Sequence, residues 1–207
     1  MTHTLHRRTD MITDREDFAM LSMAAQGFND KGAGEKLKKI YRMVADSNPD
    51  NLGDDTFGCR YSGQTDEEIL DHMGDKSYVC AAFSDRSRLR EALKKIKEAD
   101  LGISVVVSGN YKVVFEILKE VGIQPHTVNM SLGFFGEKDL VAREEVLAIA
   151  SMCGHGMIPP RRIENILERV KAGKLTPEEG SKRVASTCTC GIFNPILAEE
   201  MIQKIPK

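Results

Sequence analysis

Short apolar runs alternate with amphipathic helical patterns through the middle of the chain, and this order restricts the possible folds most strongly. Residues 78–83 and 103–107 have the length and apolar content of strands. The second run carries apolar side chains on both faces, which is typical of a strand covered by helices on both sides. Residues 125–135 predict a third strand. This β-α-β-α-β order predicts an α/β fold whose sheet is mainly parallel, with right-handed crossovers and flanking helices.

The patterns on either side extend this prediction. The first 76 residues predict further strands and helices of the same sheet, at residues 18–25, 34–45, 57–61 and from the capping box at 65–68. After Gly136 the pattern is helical, with helices beginning near Arg143, Pro160, Pro177 and Pro195. We therefore predict a sheet domain over residues 1–136 and an all-helical region over residues 137–207, packed together as one globular unit.

Composition excludes several classes of protein. Hydrophobic residues make up 41% and charged residues 29%, and the net charge is −2 without a basic stripe, which argues against a nucleic-acid partner. No apolar run approaches the ~20 residues of a membrane span, and no apolar segment follows the basic N-terminus as in a signal peptide. Five cysteines argue against a secreted disulfide framework. We therefore expect a cytoplasmic protein.

Two Cys/His clusters in the helical region carry the most specific chemistry. They are Cys153-Gly154-His155-Gly156 and Cys188-Thr189-Cys190-Gly191. The glycines allow sharp turns beside the ligands, and the two helices between the clusters can form a hairpin that brings its ends together. Cys153, His155, Cys188 and Cys190 would then form a Cys₃His zinc site or hold an iron–sulfur cluster. The spacings are not those of standard zinc knuckles.

The first cluster also resembles a known catalytic segment. Residues 152–156, Met-Cys-Gly-His-Gly, are similar to the segment around a catalytic cysteine in the proline racemase and hydroxyproline epimerase family. The resemblance implies that Cys153 is an activated thiol, assisted by His155, that moves a proton at the α-carbon of a substrate. It covers five residues, and the motif of that family's second catalytic cysteine is not found here.

Polar residues elsewhere suggest a site for a small anionic substrate. Ser108, Gly109 and Asn110 join a predicted strand to a helix N-terminus, where backbone N–H groups favour anions, although a plain helix cap is the alternative. His126 and Asn129 could line a pocket at a strand end, and His126 could equally be structural. An arm containing His6, Arg7 and Arg8 could cover the site and bind an anion, or be a tail. We interpret Cys80 as core and Cys59 as a possible fifth thiol.

Three functions follow from these patterns. The first is a zinc or iron–sulfur enzyme of reducing or anaerobic metabolism that acts on a small anionic substrate. The second is a metal-free thiol enzyme that uses Cys153, with a redox-active pair formed by Cys188 and Cys190. The third is a non-enzymatic metal sensor or interaction protein. In a fourth interpretation the cysteines are only buried core residues. A homo-oligomer is compatible with each.

Overall fold

A computed structural model gives the structure of the protein and describes residue 7, residues 16–130 and residues 135–205. Five strands form one sheet in the order β3-β2-β4-β1-β5, and every neighbouring pair is antiparallel. The strands are β1 (Phe18–Met23), β2 (Asn51–Asp54), β3 (Gly58–Cys59), β4 (Val79–Phe83) and β5 (Ser104–Ser108).

The prediction of a mainly parallel sheet is therefore wrong. β4 and β5 run in the same direction, as the strand–helix–strand pattern indicated, but β1 lies between them and is antiparallel to both. In the same way β4 lies between β1 and β2. The result is a split β-α-β arrangement. The local pattern determined the relative direction of consecutive strands, but it could not show that another strand would be inserted between them.

The predicted third strand of the alternation is also wrong. Residues 125–130 have no regular secondary structure and are exposed, and Phe135 is also irregular and exposed. Residues 131–134 of that prediction lie outside the described part of the chain. Residues 125–130 therefore do not form a strand beside β5, despite their alternation of apolar and polar residues.

Helices occupy most of the positions that the sequence predicted. They are α1 (Ala33–Ala45), α2 (Asp66–His72), α3 (Arg86–Ala99), α4 (Tyr111–Val121), α5 (Glu144–Ala150), α6 (Pro160–Lys171), α7 (Pro177–Ala185) and α8 (Pro195–Lys204). Capping boxes at Thr65 and Thr176 satisfy the first N–H groups of α2 and α7. Gly122 ends α4 with a positive φ of 71°.

Helices cover both faces of the sheet. Phe18 and Met20 of β1 point to the face covered by α1, α3 and α4, whereas Ala19 and Leu21 point to the face covered by α5–α8. This alternation places Cys80 of β4 on the second face, in the same apolar core as the C-terminal helices. The division of the chain at residue 136 stays a prediction.

Membrane insertion through a helix is not supported. Within residues 16–130 and 135–205, every helix is too short or too polar to cross a lipid bilayer.

Asp66→Asn is expected to reduce the acid sensitivity of the fold. Arg60 donates two hydrogen bonds to Asp66, at 2.8 and 2.7 Å, and these lower the pKa of the carboxyl. Since the folded pKa lies below the unfolded value of about 3.9, the pair stabilises fully above that pH, and the contribution is lost as pH falls through the folded pKa. The pair is partly exposed, so the loss is at most about 1 kcal/mol.

Urea unfolding of both proteins between about pH 6 and about pH 2.5 measures this difference. Asp71→Asn, at an exposed position of the same helix, is the matched control. Parallel loss of stability in Asp66→Asn and wild type at acid pH would contradict the assignment.

Candidate metal centre

The two predicted Cys/His clusters meet in space. Cys153 lies in the loop after α5, and Cys188 and Cys190 lie between α7 and α8. The intervening helices α6 and α7 pack against each other, and this hairpin brings the thiol of Cys153 into a hydrogen bond with that of Cys188. The fold-back on which a shared site depends is therefore present.

All five cysteines of the chain lie in one buried group, without a disulfide. Four thiols form a hydrogen-bonded series in the order Cys153, Cys188, Cys190 and Cys80. The sulfur atoms of Cys188 and Cys190 are 3.6 Å apart. The fifth thiol, that of Cys59, donates to the backbone carbonyl of Cys188 at 3.2 Å. The group therefore contains cysteines from two loops, the one after α5 and the one between α7 and α8, and from two strands, β3 and β4.

The sheet contributes its two cysteines from one row of side chains. Gly53 of β2 pairs with Cys59 on one side and with Cys80 on the other. Residues directly opposite in antiparallel strands present their side chains on the same face. Both thiols therefore point to the face where the C-terminal loops pack, with a glycine between them.

Glycines allow the second loop to lie directly on this row. A Cβ atom on Gly191 would come within 2.6 Å of the Gly53 nitrogen and 3.0 Å of the Cys80 oxygen, and Gly191 has a φ of +93°. A Cβ on Gly53 would overlap Cys59. Buried Asn51 also donates to the Phe193 carbonyl at 3.0 Å, which ties the same loop to β2. The backbone of the loop at Gly191 thus lies directly against the backbone of β2 and β4 at the centre of the cysteine group.

Backbone N–H groups point at the sulfur atoms of both loops. Cys153 accepts from the N–H groups of His155 and Met157. Cys190 accepts from Ile192, and Cys188 from Phe193. Hydrogen bonds donated to sulfur stabilise the thiolate form, which is the form that binds metals.

Without a cation, these thiols stay protonated at neutral pH. The hydrogen bond with Cys188, followed by burial, raises the pKa of Cys153 far above its usual range. The hydrogen bond with Cys153 lowers the pKa of Cys188, but the bond with Cys190 and burial outweigh it and raise the pKa to about 12. Burial likewise raises the pKa of Cys80. The raised pKa disfavours the thiolate of Cys153 in this environment, and the catalytic role that the resemblance implied for it stays a prediction.

His155 and Asp55 form the solvent-facing side of the group. One ligand atom each of Asp55, His155 and Cys190 lie within 4.8 Å of one another, close enough to hold one ion. The His155 Nδ1 and Asp55 Oδ1 atoms are 3.7 Å apart, and the two side chains are 33% and 32% exposed. The sequence reasoning missed Asp55, because only the tertiary contact between the β2–β3 turn and the Cys153 loop makes it relevant.

Arg7 connects the two cysteine loops, and its predicted binding of an anion stays a prediction. Its guanidinium donates to the carbonyls of Met152 at 2.9 Å and Ile192 at 3.0 Å, and it pairs with the carboxylate of Asp17. The side chains of Arg7 and Asp17 are only 6% and 5% exposed. The predicted contact of this segment with the site is present, but it is made through the backbone. His6 and Arg8 lie outside the described residues.

The other predicted substrate residues have structural positions. Asn110 caps α4 by accepting from the Lys112 N–H, which was the alternative interpretation. Ser108 ends β5 opposite Ala19, and a Cβ on Gly109 would lie 2.7 Å from Phe18. His126 and Asn129 are exposed in the irregular segment after α4. Their predicted role in binding a substrate stays a prediction.

No protein-family model, curated protein or solved structure matches this chain. The function is accordingly inferred from the geometry of the cysteine group.

Gly191→Ala is expected to destabilise the fold by about 3 kcal/mol, because strain at a positive φ is combined with a clash against the backbone of β2. Chemical denaturation measures the change. Gly173→Ala is the matched control, since Gly173 also has a positive φ, +67°, but its Cβ would enter open space. It is expected to cost about 1 kcal/mol. Equal losses in the two variants would contradict the proposed close packing.

Arg7→Met is expected to reduce stability by about 3 kcal/mol, because it removes the cation that compensates the buried Asp17 carboxylate. It also releases the carbonyls of both cysteine loops, so thiol reagents should label Cys153 faster. Arg162→Met is the control, since Arg162 is exposed and also donates to a backbone carbonyl, that of Arg183, at 2.9 Å. Unchanged labelling in Arg7→Met would show that Arg7 does not hold the loops.

Proposed function

We propose that this protein binds one four-coordinate divalent metal ion, with zinc as the first candidate, through Cys153, Cys188, Cys190 and His155. The observation that carries the proposal is that one ligand atom each of Asp55, His155 and Cys190 lie within 4.8 Å of one another, while the Cys188 sulfur is 3.6 Å from that of Cys190. Cys153 adjoins Cys188, and backbone N–H groups are directed at the sulfurs of both loops. Buried cysteines that serve only as core would not need donors directed at their sulfur atoms. Cys₃His is an established ligand set for zinc.

The spacing of two sulfurs supports a single ion. Two thiolates on one tetrahedral zinc, with Zn–S bonds of about 2.3 Å, are about 3.8 Å apart. The sulfurs of Cys188 and Cys190 are 3.6 Å apart. In a cubane iron–sulfur cluster each iron takes a separate cysteine, which requires wider spacing. The pair therefore favours a mononuclear site over such a cluster.

A cation also resolves the conflict between burial and hydrogen bonding at this group. Burial and thiol–thiol hydrogen bonds favour the protonated forms, whereas the backbone N–H donors favour thiolates. A divalent ion displaces the thiol protons and compensates the resulting charge in the low-dielectric interior. Ligand thiols would then be deprotonated at neutral pH without a nearby basic side chain.

His155 and Asp55 give the ion one side that solvent can reach. Asp55, whose Oδ1 atom is 3.7 Å from the His155 Nδ1 atom, either orients the imidazole toward the ion or replaces it as a ligand. A small anionic substrate could approach from this side, which is the enzymatic version of the proposal, while a sensor or carrier would need only the bound ion. Because all five cysteines are free thiols, we also propose a reducing compartment such as the cytoplasm.

The Cys188–Cys190 pair also supports a second candidate, a metal-free dithiol that is oxidised to a disulfide. The 3.6 Å separation of the sulfurs favours it. The raised pKa values of Cys153 and Cys188 oppose it, because the thiolate is the reacting species. We therefore rank it below metal binding.

Titration of the reduced, metal-free protein with Co²⁺ tests the metal site directly, because thiolate ligands to tetrahedral cobalt give intense visible absorption. One equivalent of Co²⁺ is expected to bind, and Zn²⁺ should displace it. Cys188→Ser should weaken binding by more than ~100-fold, and Asp55→Asn by about 10-fold. Cys59→Ser is the matched control, because Cys59 is equally buried but is outside the ligand set.

The outcomes separate the candidates. A folded protein that binds neither Co²⁺ nor Zn²⁺, with all thiols free, would overturn the proposal. Brown anaerobically purified protein containing iron and sulfide would replace the single ion with a cluster. A disulfide between Cys188 and Cys190 in metal-free protein would favour the dithiol candidate. Equal weakening by Cys59→Ser and Cys188→Ser would contradict the assigned ligands.

A further inference from the structure

One edge of the sheet is less covered than the rest. β1, β2 and β4 are buried along almost their whole length, whereas Ser104 of β5 is exposed and Val105, Val106 and Val107 are only half-buried. β5 is a terminal strand of the sheet in the described part of the chain. Valines normally occupy covered positions, so this edge is the surface of the sheet best suited to a partner.

β5 lacks the features that protect edge strands from pairing. Its sequence, Ser-Val-Val-Val-Ser, contains no charged residue and no proline, and its register with β1 is unbroken from Ser104 to Ser108. The opposite edge, β3, has only two residues. Among the strands that the structure describes, only β5 therefore offers an edge long enough to extend the sheet.

The helix beside this edge is apolar on an uncovered side. In α4 only Ile117 is fully buried. Glu116 and Glu120 face α3, where they pair with Arg86 and Arg90.

At 100° per residue, Tyr111, Phe115 and Leu118 lie on the side of α4 opposite these acidic residues. Tyr111 and Phe115 are 51% and 37% exposed and contact each other edge-to-face, with ring centroids 6.3 Å apart. Helix α4 contacts both α3 and β5, and α3 contacts the central strand β4. Because α3 therefore lies toward the centre of the sheet, the side of α4 that is turned away from α3 faces outward past the β5 edge.

We propose that a second copy of this chain pairs with β5 about a two-fold axis and continues the sheet from one protomer into the other. The strand reads the same in both directions, so antiparallel pairing centred on Val106 places Val105 opposite the partner's Val107. The same register places Ser104 opposite the partner's Ser108. This pairing sets valine against valine and serine against serine, with no charged residue on either strand, so the edge is complementary to its own copy.

The same symmetry brings the two α4 helices together. Both helices lie on one face of the continued sheet, each beside β5, and their apolar sides point toward the two-fold axis. Tyr111, Phe115 and Leu118 would then be covered by the same residues of the other protomer. Aromatic side chains are enriched at such interface centres, and strand pairing adds main-chain hydrogen bonds.

The interface is separate from the cysteine group. Helix α4 packs on the sheet face opposite the one that carries α5–α8 and the thiols. Association by this edge therefore does not depend on metal binding, and the two proposals fail independently.

Light scattering coupled to size-exclusion chromatography tests the pairing on the full-length protein. Wild type is expected to run at twice 23.0 kDa above about 10 µM. The double variant Tyr111→Lys/Phe115→Lys should run as a monomer, because it places two pairs of like charges against each other at the axis. Ile196→Lys is the matched control, since Ile196 is 38% exposed on α8, on the opposite sheet face. It should remain a dimer.

Amide hydrogen exchange of wild type on dilution supplies a readout that needs no substitution. Residues 104–108 should exchange at least ~10-fold more slowly in the associated protein than in the dilute protein, while β2 and β4 should not change. A monomer at every concentration would overturn the proposal. So would a dimer that the double variant leaves intact, or one whose formation does not protect β5, because either would place the interface elsewhere.

Discussion

The close contact between two backbone segments, at Gly53 of β2 and Gly191 of the α7–α8 loop, is the constraint on which the candidate site depends. Neither position has room for a Cβ atom. The loop can therefore lie on the row formed by Cys59, Gly53 and Cys80, and Cys188 and Cys190 are brought against the sheet. The hydrogen bond from Asn51 to the Phe193 carbonyl stabilises the same contact. A bulkier residue at Gly191 would push the helical layer away from the strands that supply two of the five thiols, and one at Gly53 would clash with Cys59, which supplies one of them.

This arrangement creates an electrostatic conflict that explains why the group is best interpreted as a metal centre. Four thiols in hydrogen-bonded series and out of water strongly resist ionisation, and the pKa of Cys188 is raised to about 12. Backbone N–H groups nevertheless point at the sulfurs of both loops. Protonated thiols in an apolar core would satisfy only the first tendency, whereas a divalent cation would bind the thiolates that the N–H groups favour and compensate their charge in the buried site. The buried Arg7–Asp17 pair donates to carbonyls beside both loops and so helps to hold this geometry.

Much of the local structure could be predicted because its causes are local. Asp85, Asn110 and the capping boxes at Thr65 and Thr176 satisfy helix N–H groups within three residues, so the residues themselves mark where the helices begin. The parallel sheet was predicted wrongly because strand adjacency has a non-local cause. The pattern of β4, α3 and β5 is the same whether or not β1 lies between the strands. Similarly, residues 125–130 alternate like a strand but pair with none of the strands that the structure describes.

The sequence by itself determined which residues could act as ligands and where the helices between them begin and end, because glycines, caps and thiols act through neighbouring atoms. It identified Cys153, His155, Cys188 and Cys190 as one candidate group. Only the tertiary structure decided that α6 and α7 fold back, that Cys80 and Cys59 join the group, and that Asp55 meets His155. Apart from the α6–α7 hairpin, these contacts depend on strand register and layer packing, in which residues 100 or more positions apart approach each other, and no local pattern encodes such contacts.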